Sequence, residues 1–536
     1  MNEIREKIKE NLKRESFDLI VIGGGATGSG IALDAASRGL KTALVEKGDF
    51  SSGTSSRSTK LVHGGVRYLE DAVLHFDKTQ YNLVRDALKE RYNLLNNSKY
   101  LAWRLNLVTP LYKAYEMPYI YAGLSLYDVL SGKKRLGASR ILGKRKIHSY
   151  NDCIKKEGLK GGVLYYDGQF HDARMNIALI KTAYKFGAKP CNYIEVVNLI
   201  KKGGMVGGVK VKDVLTGDTF DINGKVVVNA TGPYLDNIRK LDDPNTEDML
   251  KVSSGIHIVI DASYTKKGFG LMIPKTEDGR VLFVLPWNGN TLVGTTDEEA
   301  TLEDHPTVKK KDVNYLLKHV NNYFDMKITE KDIKSKWSGL RPLVKDPNKS
   351  DTAKLSRDHV IEASPSGLLT IGGGKWTTYR KMAQDLVDKA IEYARLTPHS
   401  YCYTDRIFVD GYDPVNEDLK KQSSYNFLDK KEFDFLYKRY GSNLNKILEL
   451  NNGQLNMLYE DYPIFEEEIK YQIREEFAAR AEDVIIRRTM LALVDINGAK
   501  EIAEKVVEIM SEELNWSKRR KEEEQKILED RLNISI

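Results

Sequence analysis

The chain opens on charged residues, but Ile4, Ile8 and Leu12 recur among them at helical spacing. That stripe predicts a helix docked on its own domain rather than on a membrane surface. FDLIVI (17–22) is a short apolar run suited to a buried parallel strand. GGGATGSG follows, then IALDAASRGL at helical spacing, then KTALVE as a second strand. These segments make one βαβ unit. Four later runs read as strands: VVVNA (226–230), IHIVI (256–260), RVLFVLP and TLVGTT. Their β-branched content and their distance from the first unit predict a second sheet, able to carry a substrate region. Residues 377–395 form a predicted helix whose stripe, Met382, Leu386, Ala390 and Ile391, packs on the core. LTPHSYCYTDRIFVDGYDP is rich in breakers and reads as a linker. The remainder is charged and helical in period, and KRRKEEEQK within it reads as a solvated helix face.

Length and composition narrow this picture. At 536 residues the chain is longer than one core commonly organises, so two or more domains are expected. The charge balance of 83 basic against 76 acidic residues leaves only +7, too little to point to nucleic acid. It suits an acidic small substrate or an anionic membrane surface. Cys153, Cys191 and Cys402 lie far apart and form no CxxC pair, so neither a disulfide framework nor a zinc site is expected. No apolar run reaches the ~18 residues of a spanning helix. The first 17 residues hold four glutamates and no apolar core, and read as neither a secretory signal nor a good mitochondrial presequence.

The chemistry begins at the first strand-to-helix turn. Gly23, Gly25 and Gly28 stand in G-x-G-x-x-G spacing, with Gly24, Ala26 and Thr27 filling the turn. The first glycine permits the tight bend, the second lets a pyrophosphate approach the backbone, and the third lets helix and strand pack closely. The helix N-terminus offers free N–H groups to the phosphates. Glu46, 18 residues after Gly28, ends the second strand with a carboxylate for the ribose hydroxyls, with Lys47 beside it. An acid there disfavours NADP but does not separate NAD from FAD. Two further glycine-rich turns make that separation, VVVNATGP (226–233) and TIGGGKWTTYR (370–380). A longer dinucleotide with a ribityl chain and a flavin ring needs such close backbone approach far from the first turn.

The 17–46 opening, SSGTSSRSTKLVHGGVRYLE (51–70), NATGP, WSGLRPLVKDP and GGGKWTTYRKMA together resemble the FAD-dependent glycerol-3-phosphate dehydrogenases, in particular the mitochondrial, respiratory-chain form. The likeness runs through nearly the whole chain. It implies an α/β fold: a Rossmann-like FAD-binding domain, a mixed-sheet substrate domain discontinuous in sequence, and an all-α C-terminal domain. The expected organisation is a helical extension over 1–16, the interleaved flavin and substrate region over 17–395, a linker over 396–411 and a helical cap over 412–536.

The resemblance also implies roles. Residues 51–60 wrap the pyrophosphate and ribityl chain, with Thr54, Ser55, Ser58 and Lys60 as contacts. Leu61, His63, Gly64 and Gly65 sit beside the isoalloxazine. Ala230, Thr231 and Gly232 supply the second turn, and Gly373, Gly374, Lys375, Thr377 and Thr378 the third. Oxidising a secondary alcohol with flavin needs a base, a hydride aimed at N5 and a held substrate. His63 is the first choice of base, because imidazole titrates near neutrality. His257 orients the substrate or shares the proton, Arg341 and Arg357 clamp a phosphate in forked geometry, Lys375 lies on the flavin N1 side, and Tyr68 closes the pocket.

Related oxidases carry an extra segment between the clamp arginines. Here only PLVKDPNKSDTAKLS separates them, which favours a dehydrogenase with a quinone acceptor. Quinone implies peripheral membrane contact, for which aromatic-rich MPYIYAGLSLYDVL (117–130) is the candidate, a core helix being the other reading of that segment. The expected compartment is the mitochondrial inner membrane or that of a related organelle, with a cytoplasmic, membrane-associated enzyme as the alternative. A homodimer is admitted, nucleic acid is not expected, and neither a metal site nor a calcium-binding D-x-[DN]-x-[DN]-G loop is expected. The competing readings are an oxygen-using glycerol-3-phosphate oxidase, an amine or amino-acid oxidase, and a flavin-binding scaffold whose C-terminal helices recruit a partner. Two arginines and a lysine suit a dianionic phosphate better than a single carboxylate.

Overall fold

The computed structural model describes residues 3–66, 69, 77–274, 276–277, 279–345, 359–414 and 428–534. FDLIVI is buried on both faces and becomes the strand Ser16–Ile22, paired in parallel with Thr42–Val45 on one side and Thr219–Asn229 on the other. The eight-stranded sheet runs His359–Ala363, Leu369–Gly373, Thr219–Asn229, Ser16–Ile22, Thr42–Val45, Lys189–Cys191, with the strands Ile194–Lys202 and Met205–Asp213 continuing from Thr219–Asn229 as a meander. VVVNA therefore belongs to this first sheet and not to the second, where sequence distance had placed it. Apolar, β-branched residues on both faces are what a central parallel strand needs, and a long crossover brings them home.

The other three runs do build a second sheet of ten strands, in Leu250–Ile260, Leu282–Trp287 and Asn290–Gly294, and Ser335–Val344 pairs with Leu250–Ile260 from Leu250 to Val259. The two-residue strand Leu61–Val62 pairs with Gln169 and Gly168 at its far edge. The hydroxyl-rich segment thus leaves the first sheet and joins the second, which stretches it across the seam.

The predicted helix at 377–395 is Tyr379–Ala394, entered through the 3-10 turn Trp376–Thr378. It packs on Ala26–Ser37, where Gly30 leaves room for the Tyr379 ring. The N-terminal helix Glu3–Arg14 buries Ile8 and Leu12 as its stripe requires, and it buries Arg5 and Lys9 as well. Both cations converge on the Asp213 carboxylate, Arg5 Nη2 at 2.8 Å and Lys9 Nζ at 3.0 Å, in the meander. The breaker-rich segment after Arg395 is packed down: Leu396, Ile407 and Val409 are buried, and the N–H groups of His399 and Val409 donate to the carbonyls of Arg38 and Asn97. Beyond it the described residues are mainly helical, with one small ribbon, Met457–Tyr459 with Ile464–Phe465. The cap is joined to the flavin domain by buried ion pairs, among them Arg174–Glu476 and Arg488–Asp49. Among the described residues, no helix is long and apolar enough to cross a membrane, and no group of side chains is arranged to hold a metal ion.

Candidate active site

Each glycine of the first turn has a distinct spatial reason. Gly23 sits at φ +107°, and a Cβ there would lie 2.6 Å from the Ala230 carbonyl oxygen, so the first and second turns touch. A Cβ on Gly28 would come within 1.9 Å of the Gly23 oxygen, which is the close helix–strand packing expected of the third glycine. Gly25 caps the helix Ala26–Ser37 with no side-chain bond, and a Cβ on it would sit 2.9 Å from Ser55 Oγ. The cradle is thus sized for backbone approach by a ligand. Ser55 Oγ accepts the Ala26 N–H at 2.9 Å, and Trp376 Nε1 donates to the Ser55 carbonyl at 2.8 Å, which draws the third turn onto the first. Gly232, Gly373 and Gly374 all have positive φ, +57°, +77° and +76°.

The Glu46 carboxylate accepts the N–H groups of Gly24 (2.7 Å) and Gly48 (2.9 Å), and burial raises its proton affinity in spite of them. It keeps further lone pairs for hydroxyl donors. Lys47 turns away to Asp304 at 2.6 Å and lies over the Tyr234 ring. Lys60, at φ +61°, is fully buried: its ammonium meets both Asp172 oxygens (2.7 and 2.8 Å) and the Ser56 carbonyl (2.6 Å). Ser58 donates to the same carboxylate at 2.7 Å, and Thr54 Oγ1 donates to the Leu340 carbonyl at 2.6 Å. The hydroxyls therefore tie the segment to the second sheet and to the helix Asp172–Lys185, which composition alone did not reveal.

A cleft of about 230 Å³ opens between the two sheets. His63, His257, Arg341 and Lys375 all line it, together with Thr54, Ser58, Leu61 and Thr377. Three further glycines clear the space. Gly294 makes way for the His257 ring, Gly255 for the Arg341 guanidinium, and Gly339 for Arg57. Arg341 is held in place by Asp297 (3.2 Å), Thr295 Oγ1 (3.0 Å) and the Thr296 carbonyl (2.8 Å). His257 stacks on Trp337 and shares a 3.0 Å hydrogen bond between Nε2 and Thr59 Oγ1. Burial, then the positive charges of Lys60 and Arg341, hold it well below the ordinary histidine range, so its ring is neutral near pH 7. Beside His63, the Gly64 N–H donates to the Tyr127 hydroxyl at 2.6 Å, and Asp167 and Arg91 fix that hydroxyl. Gly65 bends at φ +83°. Tyr68 and Arg357 lie outside the described residues. Asp297 and Tyr127 were not read from the sequence as site residues, and Arg57 and Thr59 only as members of the segment 51–60; their nearness in space to the cleft singles them out.

Residues 18–380 match the family of FAD dependent oxidoreductases, and residues 402–521 match the C-terminal domain of alpha-glycerophosphate oxidase. The mitochondrial glycerol-3-phosphate dehydrogenase of Mus musculus is 44% identical over 95% of this chain and 72% of its own length. The chain belongs to the FAD-dependent glycerol-3-phosphate dehydrogenase family. The family extends to plants, since the mitochondrial enzyme SDP6 of Arabidopsis thaliana is 41% identical over 95% of this chain and 85% of its own. Among solved structures, the glycerol-3-phosphate dehydrogenase of Bacillus halodurans, complexed with FAD, superposes with a TM-score of 0.80 at 30% identity, covering 99% of this chain and 98% of that one. The L-alpha-glycerophosphate oxidase of Mycoplasma pneumoniae shares the fold at 16% identity and a TM-score of 0.55, over 74% of this chain and 98% of its own.

Proposed function

We propose that the chain oxidises sn-glycerol 3-phosphate to dihydroxyacetone phosphate, with bound FAD taking the hydride at N5 and a membrane quinone taking the electrons onward. One observation carries this reading: His63, His257, Arg341 and Lys375 converge in a single cleft at the seam where the glycine turns meet. Arg341 presents a fixed fork for the phosphate oxygens, since Asp297 and Thr295 set its plane before substrate arrives. Arg357 completes the clamp. His63 takes the hydroxyl proton on its imidazole, while His257, which stays neutral, serves as a hydrogen-bonding guide to the substrate rather than the base. Lys375 adds positive charge on the flavin N1 side, and Tyr68 closes the pocket.

The helix Glu116–Ser131 supports a membrane contact. It turns Tyr119 and Val129 to solvent, with exposed Tyr115 just before it, and is flanked by Lys113, Lys133 and Lys134, a composition suited to an anionic lipid surface. Its inner face carries Tyr127, the acceptor for the Gly64 N–H. We place the enzyme in the mitochondrion, peripheral on the inner membrane, as a homodimer or a monomer. An anaerobic titration tests the whole reading. Glycerol 3-phosphate should bleach the flavin, and a quinone analogue should restore the colour faster than oxygen does. Bleaching by an amino acid instead would transfer the chain to the amino-acid oxidases.

A further inference from the structure

We propose that Arg57 and Arg531, brought together from the flavin domain and the last helix of the cap, form a phosphate-binding pair at the rim of the cleft. Arg57 follows the 3-10 turn Thr54–Ser56, lines the cleft and is only 8% exposed. Its one long hydrogen bond, 3.4 Å to the Ser338 carbonyl, leaves most of the guanidinium donors unused. Arg531 lies on Lys518–Asn533, is 6% exposed, and its Nε and Nη1 are buried with no hydrogen-bond partner among the described residues.

The surrounding charge does not compensate them. Burial, then Arg531 and Arg487, lower Arg57 to about 9. Burial lowers Arg531 too, with Glu482 opposing and Arg487 adding to the fall. His305, at the same junction, is pushed down to about 4 by burial, Arg531 and Arg57. The carboxylate that acts on both arginines is Glu482, which already faces Arg487 at 3.3 Å, and Arg487 itself is engaged by Asp49 and Asp483; Asp304, which acts on His305, is taken by Lys47 and Tyr234. A buried guanidinium without its own carboxylate is costly to the fold, and a phosphate oxygen pair is the ligand that its forked donors match.

Position points the same way. Asp49 lies just beyond Glu46, and Ser51 donates its N–H to the Gly24 carbonyl, so the junction borders the dinucleotide turn. Across it, Asp304 of the substrate domain ties down Lys47 and Tyr234. Phosphate reaches this rim from two sources, the FAD pyrophosphate or the substrate phosphomonoester. The second source rests on the function proposed above, and the first does not.

The test uses full-length holoenzyme carrying Arg57→Gln or Arg531→Gln. FAD release on dilution and reloading of the stripped protein are followed by flavin fluorescence, and KM is measured for sn-glycerol 3-phosphate. Each variant should bind FAD at least tenfold more weakly, the double variant being little worse than either single one. Stripped of FAD, the Gln variants should melt no lower than the parent, while the rise in Tm on adding FAD shrinks. Intact FAD binding with a tenfold higher KM assigns the pair to the substrate phosphate. FAD affinity and KM both within twofold of the parent in both variants would overturn the proposal. Should a Gln variant fail to fold, Arg57→Lys and Arg531→Lys, which keep the charge and lose the fork, are read by the same criteria.

Discussion

Two regions of this molecule bury charge, and they do so in opposite ways. At the contact between cap and flavin domain the arginines are matched by carboxylates: Arg174 meets Glu476 at 2.7 Å, Asp49 holds Arg488 at 2.9 Å together with Arg487, which also meets Asp483, and within the cap Arg439 meets Glu468 at 3.1 Å. In the cleft, burial and then the cations Lys60 and Arg341 keep His257 neutral, and at its rim Arg57 faces Arg531 of the cap with one glutamate, Glu482, acting on both. The first arrangement uses up its charge in fixing the orientation of the domains. The second keeps charge unspent, which destabilises the empty cleft and stabilises whatever anion enters. Buried ionic groups are therefore not alike, and their counter-ions tell which of them hold the fold and which act on a ligand.

Substitutions separate the two regions sharply. His63→Asn should lower kcat by about 10²–10⁴, the range of general-base loss, while the flavin spectrum is kept. A kcat within threefold of the parent would remove His63 from that role. Glu476→Ala strands Arg174 and should cost about 3–5 kcal/mol in urea unfolding, with kcat of the folded fraction unchanged. Arg341→Ala should raise KM for glycerol 3-phosphate on the order of a hundredfold without loss of FAD. Thr59→Val should cost about 1 kcal/mol, seen as a roughly fivefold fall in kcat and an altered pH profile, and Thr59→Ser should restore both.

Acid pH should act on the regions in separate windows. His257 is depressed in the folded state, so the unfolded chain binds more protons and stability falls once pH drops below about 6.5. Asp410, buried yet held well below the usual carboxylate range by Lys181 and Lys185, contributes stability that is complete above about pH 4 and lost below it. His257→Gln should flatten the first arm of a stability–pH curve and Asp410→Asn the second. If either substitution leaves its arm intact, the group it replaces does not carry that arm.

The sequence made the flavin cradle legible because its parts are local. Gly23, Gly25, Gly28 and Glu46 lie within one βαβ unit, and their spacing encodes their geometry directly. The cleft was readable only in its motif residues. Thr59, Asp297 and Tyr127 do their work through partners 198, 44 and 63 positions away, and no period along the chain records such pairings. VVVNA was read correctly as a strand but given the wrong sheet, since a parallel crossover hides which neighbour a strand will find. The breaker-rich stretch after Arg395 was legible as irregular backbone, but its packing depends on carbonyls of Arg38 and Asn97 that lie far upstream.

The clamp on Asp213 has a practical corollary. Proteolytic trimming back to the first strand would take away Arg5 and Lys9 together and leave their shared carboxylate enclosed in the meander. Burial would then favour the protonated acid, so the shortened enzyme would have to take up a proton as it folds. A preparation clipped at that point would be least robust in alkaline buffer, and the fault would surface on the sheet's outer edge, remote from the flavin.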